Sequence, residues 1–114
     1  MPISSKYLFV VSMDVEPDKE ALFNEVYDTE HVPNILKVKG VVGVVRFKDA
    51  APNAAGWLVY SALYLLERAD LPDTPEWKKA SEIGRWAPVM RPKLKSRQRR
   101  LGPVVAAELV GAKA

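Results

Sequence analysis

Residues 41–66 read VVGVVRFKDAAPNAAGWLVYSALYLL, two apolar runs on either side of a segment rich in Ala, Pro, Asn and Gly. Each run has the length and β-branched or aromatic content of a strand, and the turn-forming residues between them make a hairpin the natural connection. In VVGVVRF and in WLVYSALYLL both alternating sets of positions are mainly apolar. A sheet with one wet face alternates apolar with polar residues, so both faces of this hairpin are expected to be buried.

Upstream, KYLFVVSMDV (6–15) reads as a strand that stops at acids and Pro17. Pro17 suits the first position of a helix, and Asp18 and Glu20 place negative charge in its first turn, where the helix dipole favours it. The helix is expected to run through Ala21, Leu22, Phe23, Val26 and Tyr27, with Pro33 marking a break or restart near Val32. Downstream, Thr74 is placed to cap a helix that begins at Pro75, carries Trp77, Ala80, Ser81 and Ile83, and ends at Gly84. Pro88 and Pro92 make residues 86–96 irregular. A last strand is expected from about Arg97 to Leu109, interrupted near Gly102 and Pro103.

The order β-α-β-β-α-β is that of an α+β, ferredoxin-like fold: a four-stranded antiparallel sheet with two helices on one face, one domain over residues 1–114. Two short helices cover only one face of such a sheet. The other face needs a partner, and a second copy across a two-fold axis is the simplest, so a homodimer is expected.

Composition narrows the function classes. The 114 residues suffice for one stable core, and with no cysteine there is no disulfide, thiolate metal site or cysteine nucleophile. No run approaches the roughly 20 apolar residues that span a bilayer, and no cleavage site follows the apolar start, so a cytoplasmic protein without membrane contact is expected. The net charge is +3, with Arg91, Lys93, Lys95, Arg97, Arg99 and Arg100 clustered near the C-terminus. No stacking aromatics or nucleic-acid motif accompany these charges; they read as a solvated loop and strand start, with an anionic ligand as the other reading.

His31 is the sole histidine and lies in NEVYDTEHVPNIL (24–36). At about 100° per residue it falls one turn below Tyr27 on the edge of the apolar stripe, while Glu30 points inward and Asp28 faces solvent on the opposite side. A histidine of near-neutral pKa at the mouth of an apolar pocket can act as general acid or base, with a phenol or carboxylate sharing its proton. The alternative is a helix-end cation beside free carbonyls, with Tyr27 in the core. Arg46 shares a face of the second strand with Val42, Val44 and Lys48, where it can hold a carboxylate or enolate oxygen or simply lead the strand to solvent. Tyr60 and Tyr64 share a face of the third strand and, with Phe23, are candidates to line a ligand pocket or the core. One histidine with acids on different sides of a helix makes no metal site, and there is no phosphate loop or nucleophile elbow. No cofactor is expected.

The segment NEVYDTEHVPNILKVKGVVGVVRF (24–47) resembles the first helix and second strand of EthD-like proteins of the dimeric α+β barrel superfamily, matching at Tyr27, Asp28, His31, Val32, Pro33, Gly40 and Arg46. In the second half only the order of elements matches. The resemblance implies the ferredoxin-like protomer, the dimer and a pocket between the first helix, its following loop and the sheet. Relatives in the wider superfamily include lactone isomerases, polyketide cyclases, cofactor-free monooxygenases and haem-binding enzymes. The expected function is cofactor-independent acid/base chemistry (isomerisation, cyclisation or oxidation) on a small hydrophobic oxygenated metabolite. His31, Tyr27 and Glu30 would handle the proton, and Arg46 would be the oxyanion partner. The alternatives are a non-catalytic dimeric carrier and a haem-associated protein.

Overall fold

Four antiparallel strands pair in the order β2-β3-β1-β4 in a computed structural model that describes residues 6–105. They are β1 (Tyr7–Val15), β2 (Val41–Lys48), β3 (Leu58–Leu66) and β4 (Lys95–Pro103). Three helices, α1 (Glu20–Val26), α2 (Val32–Leu36) and α3 (Pro75–Glu82), connect them in the βαββαβ order expected from the sequence. Phe23 of α1 meets Tyr60, and Trp77 of α3 meets Phe9, so the helices pack on the same sheet face.

The strand registers explain which residues form the core. Phe9 lies opposite Tyr64, Val11 opposite Ala62 and Met13 opposite Tyr60, and side chains two apart share a face. These residues except the partly buried Val11, which packs against them, form the buried cluster beneath the helices with Phe23, Val26, Tyr27 and Ile35. A bulge between Val41 and Gly43 breaks the alternation of β2, leaving Val42 exposed rather than in line with Val44, Arg46 and Lys48.

The opposite face is the one for which the sequence reading expects a partner. On this face Leu63 and Leu65 of the central strand β3 are half-buried, and among the described residues the outer positions of the edge strand β2 are the more open. Val45 is 52% and Phe47 49% exposed there.

The chain between β1 and β2 is helical almost throughout. α1 passes through a single π-helical turn, Tyr27–His31, directly into α2, and the Val32 N–H donates to the Tyr27 carbonyl. Pro33 has no N–H for the preceding turn and its ring needs room there, which the wider turn supplies. Pro33 thus restarts the helix at Val32 without interrupting it. A second π turn, Trp86–Met90, contains Pro88 and brings order to part of the segment expected to be irregular.

α3 begins as its sequence indicates: the Trp77 N–H donates to Thr74 Oγ1 at 3.3 Å and Pro75 occupies the first turn. β4 starts at Lys95, earlier than expected. Its irregularity is a bulge at Arg97, between the Ser12–Gln98 and Met13–Ser96 pairs, and not at Gly102 or Pro103, which stay paired with β1. The expected continuation over 106–109 lies outside the described residues.

Gly84 has φ +76°, and a Cβ there would stand 2.5 Å from Glu30 Oε1. The missing side chain lets Glu30 reach the Arg85 backbone N–H at 2.8 Å and Arg85 Nε at 2.7 Å, fastening the first π turn to the loop after α3. Gly84→Ala is expected to destabilise the fold by about 1–2 kcal/mol through left-handed backbone strain and a displaced Glu30. Urea denaturation checks this, with Glu30→Gln separating the loss of the clamp from the strain.

Candidate functional site

A cavity of about 460 Å³ opens between the helix layer and the β1–β4 side of the sheet. Its aromatic walls are Phe9, Tyr27, Tyr64, Trp77 and Trp86, and His31 joins them. The volume is in the range of small-molecule sites, which are mainly apolar with a few polar groups to orient the ligand.

The π turn places Tyr27 and His31 on one side of the helical run, their rings 4.9 Å apart. Trp86, brought in by the second π turn, stacks on His31 at 4.5 Å and meets Tyr27 edge-on at 5.0 Å. His31 is therefore neither a helix-end cap nor a solvated residue: it is 6% exposed, and Nδ1 is buried without a hydrogen-bond partner among the described residues. Burial, reinforced by the nearby Arg91 charge, pushes the imidazole pKa down to about 3. The near-neutral pKa expected from the sequence is not found, because removal from water disfavours the charged ring and, among the described residues, no carboxylate raises it in compensation.

Tyr27 and Tyr64 are both fully buried, and their hydroxyls hydrogen-bond one another across the helix–sheet boundary. Burial raises the Tyr27 phenol well above its usual pKa, with the neighbouring Tyr64 adding to the effect. Burial likewise pushes Tyr64 up to about 12, against the lowering effects of its Tyr27 hydrogen bond and the Arg46 and Arg99 charges. Near pH 7 the inner wall thus presents three uncharged groups able to exchange hydrogen bonds with a ligand.

The other expected site residues lie elsewhere. Glu30 does not point into the cavity; its carboxylate is held below the usual range by Arg85, first through the side chain and then the backbone N–H. Arg46 lies outside the cavity lining, its guanidinium 4.6 Å from the Tyr27 ring centroid, and it hydrogen-bonds Asp28 and, at 2.9 Å, Asn24. Asp28 is thus paired with Arg46 and not simply solvated, and Arg46 clasps α1 to β2. Tyr60 hydrogen-bonds Glu20 at 2.5 Å and Asn24 at 3.2 Å, and Phe23 is core, so neither lines the cavity. All four share the first helix or hairpin with the cavity residues, but the cavity lies towards β4.

The second half contributes Trp77, Trp86 and Ser96, which sequence reasoning did not place at a site, and Arg91 and Arg99, which it read as a solvated cluster with an anionic ligand as the alternative; all five line the cavity. The available signals were Trp77 within α3, Trp86 after it and the alternate-position charges of β4, none of which reveals that the strand pairs beside β1.

Buried neutral, His31 lowers stability as pH falls. The unfolded imidazole takes up a proton below its ordinary 6.5 whereas the folded one resists until about 3. Stability associated with this group is complete above about 6.5 and declines through that window, by up to about 1.4 kcal/mol per pH unit. His31→Phe removes both this dependence and the orphaned nitrogen, whose burial costs about 1–3 kcal/mol. The variant is expected to be at least as stable as wild type at pH 7, with a margin that widens towards pH 3. Urea titrations of both proteins across pH check this; a margin independent of pH contradicts it.

No family model matches the sequence, and no curated protein is significantly similar to it. Among solved structures, the chain is similar to an ethyl tert-butyl ether D (EthD) family protein from Bacillus halodurans, at 15% identity and TM-score 0.57, over 84% of this chain and 96% of that one. A similarity at this identity speaks for architecture and not for a reaction. The sheet order, the helices on one face and this likeness together give the chain the ferredoxin-like α+β fold seen in the EthD family.

Proposed function

We propose that this protein is a cofactor-independent enzyme that binds a small, largely aromatic, oxygenated compound in the cavity beside His31 and promotes a proton shift in it. The observation that carries this reading is the buried imidazole at the cavity wall with its Nδ1 unpaired among the described residues. A polar group left unsatisfied in a core costs stability, and such groups are retained where they serve a ligand. Tyr27 and Tyr64 stand alongside as neutral donors.

The chemistry follows from the charge state. A neutral imidazole can donate a hydrogen bond to a carbonyl oxygen and so stabilise the enolate formed when the adjacent carbon gives its proton to water at the cavity mouth, which returns a proton at the new position. Isomerisation, cyclisation and enolisation are within reach of that arrangement. The same depressed basicity favours a second reading, a carrier that uses His31 only to orient its cargo. The haem reading is disfavoured by the stacking of Trp86 on the imidazole at 4.5 Å, which leaves little approach for a porphyrin.

The homodimer belongs to the same proposal. On the face away from the helices, Val45 and Phe47 of β2 lie beside Leu63 and Leu65 of β3 and Leu8 and Val10 of β1. At the centre Ser12 and Ser61 satisfy each other at 2.8 Å, so the patch offers few free polar groups. A second copy laid on this face would bury it and close a barrel between two sheets.

Two experiments test these statements. Wild type and His31→Phe are incubated with lactones, phenols and quinols, with binding followed by thermal shift and turnover by mass spectrometry. Turnover abolished or reduced at least 100-fold in the variant, with binding retained, is expected; binding in both proteins and turnover in neither identifies a carrier. Phe47→Glu is expected to convert a particle of twice the 12.7 kDa chain mass into a monomer in light scattering. A monomeric wild type refutes the dimer.

A further inference from the structure

The cavity is apolar and uncharged at its inner end and charged at its mouth. Asp73, Lys78, Glu82, Arg91 and Arg99 are the charged residues that line it. Glu82 and Arg91 are paired at 3.1 Å and largely cancel. Arg99 is different: its guanidinium lies 5.1 Å from the Phe9 ring centroid, and it has no carboxylate partner among the described residues. Its neighbour along the strand, Arg97, is committed to Asp14 at 2.7 Å on the other side of the sheet. The bulge at Arg97 separates these two roles, because the paired register puts Arg99 opposite Val11, which also lines the cavity.

From this arrangement, and resting on the proposal that the cavity holds the ligand, we infer that the substrate class is a planar aromatic carboxylate. Its ring would lie among Phe9, Trp77 and Trp86, its carboxylate would meet the Arg99 guanidinium at the mouth, and an oxygen at its far end would face His31. Three features converge on that chemistry. The walls are aromatic rings, with Trp77 edge-on to both Phe9 and Tyr64 at 5.9 and 5.2 Å, a lining suited to a flat ring. Arg99 offers a planar fork of donors matched to a carboxylate, already held over an aromatic face that leaves its hydrogen-bonding edge free. The Arg99 charge is also felt at the inner wall, where it lowers the Tyr64 pKa against the effect of burial.

Paired probes read this out. Benzoate and 2-naphthoate are compared with benzamide and 2-naphthamide, which keep the shape and lose the charge, by calorimetry and quenching of tryptophan fluorescence. Wild type is expected to bind the acids at least tenfold more tightly than the amides. Arg99→Gln should erase that preference while still binding the amides, and Arg68→Gln, which removes the same charge from a distant loop, should preserve it. Equal binding of acid and amide overturns the anionic class and leaves the cavity reading intact. A preference that survives Arg99→Gln overturns the assignment of Arg99. Binding of none of the four overturns the cavity reading and this inference with it.

Discussion

The hydrogen bond between the Tyr27 and Tyr64 hydroxyls is the constraint around which the rest of the molecule is arranged. Both oxygens are buried, and leaving either unpaired costs about 1–3 kcal/mol, so the first helix can sit on the sheet in only one register. Arg46 packs over the Tyr27 ring from the β2 side, and Trp86 meets the same ring from the loop after α3. The phenol pair therefore divides the layer between helices and sheet. On one side, Arg46, Asp28, Asn24, Tyr60 and Glu20 form a polar clasp; on the other lies the cavity.

His31 stands on the cavity side and is the least comfortable residue in the core. Its ring gains from stacking on Trp86, yet Nδ1 has no partner among the described residues and protonation is strongly disfavoured. Its place is maintained by the π turn that sets its direction and by the Glu30–Arg85 clamp across Gly84 that ties this turn to the loop carrying Trp86. The Glu30 carboxylate is thus held on Arg85, outside the cavity lining.

The sheet separates two jobs by its two faces. Towards the helices, alternate residues of β1, β3 and β4 make the floor of the cavity; away from them, the residues in between present an apolar surface centred on β2 and β3. β4 is the other edge, and its run of Lys and Arg gives that edge the charge that discourages strand-to-strand aggregation. The basic cluster is accordingly not a single patch. Arg97 pairs with Asp14 and Arg91 with Glu82, while Arg99 faces the cavity.

The amino-acid sequence by itself determined the elements and their order, because strand composition, Thr74 and Pro75 at a helix start, and Gly-, Asn- and Pro-rich turns are local signals that tertiary contacts reinforce. It also determined that Tyr27 and His31 would be neighbours, one turn apart on an apolar stripe. Tertiary structure alone decided which of the candidates share a cavity. Arg46, Tyr60 and Phe23 fell on the wrong side of the Tyr27–Tyr64 pair, and Glu30 was taken by Arg85, a residue 55 positions away in sequence. The wall contributed by Trp77, Trp86 and Arg99 depends on β4 lying beside β1, a pairing between residues far apart in the chain. The protonation of His31 belongs to the same level: a spacing rule brings two side chains together, but the loss of water that holds the imidazole neutral arises only when every element has closed over it.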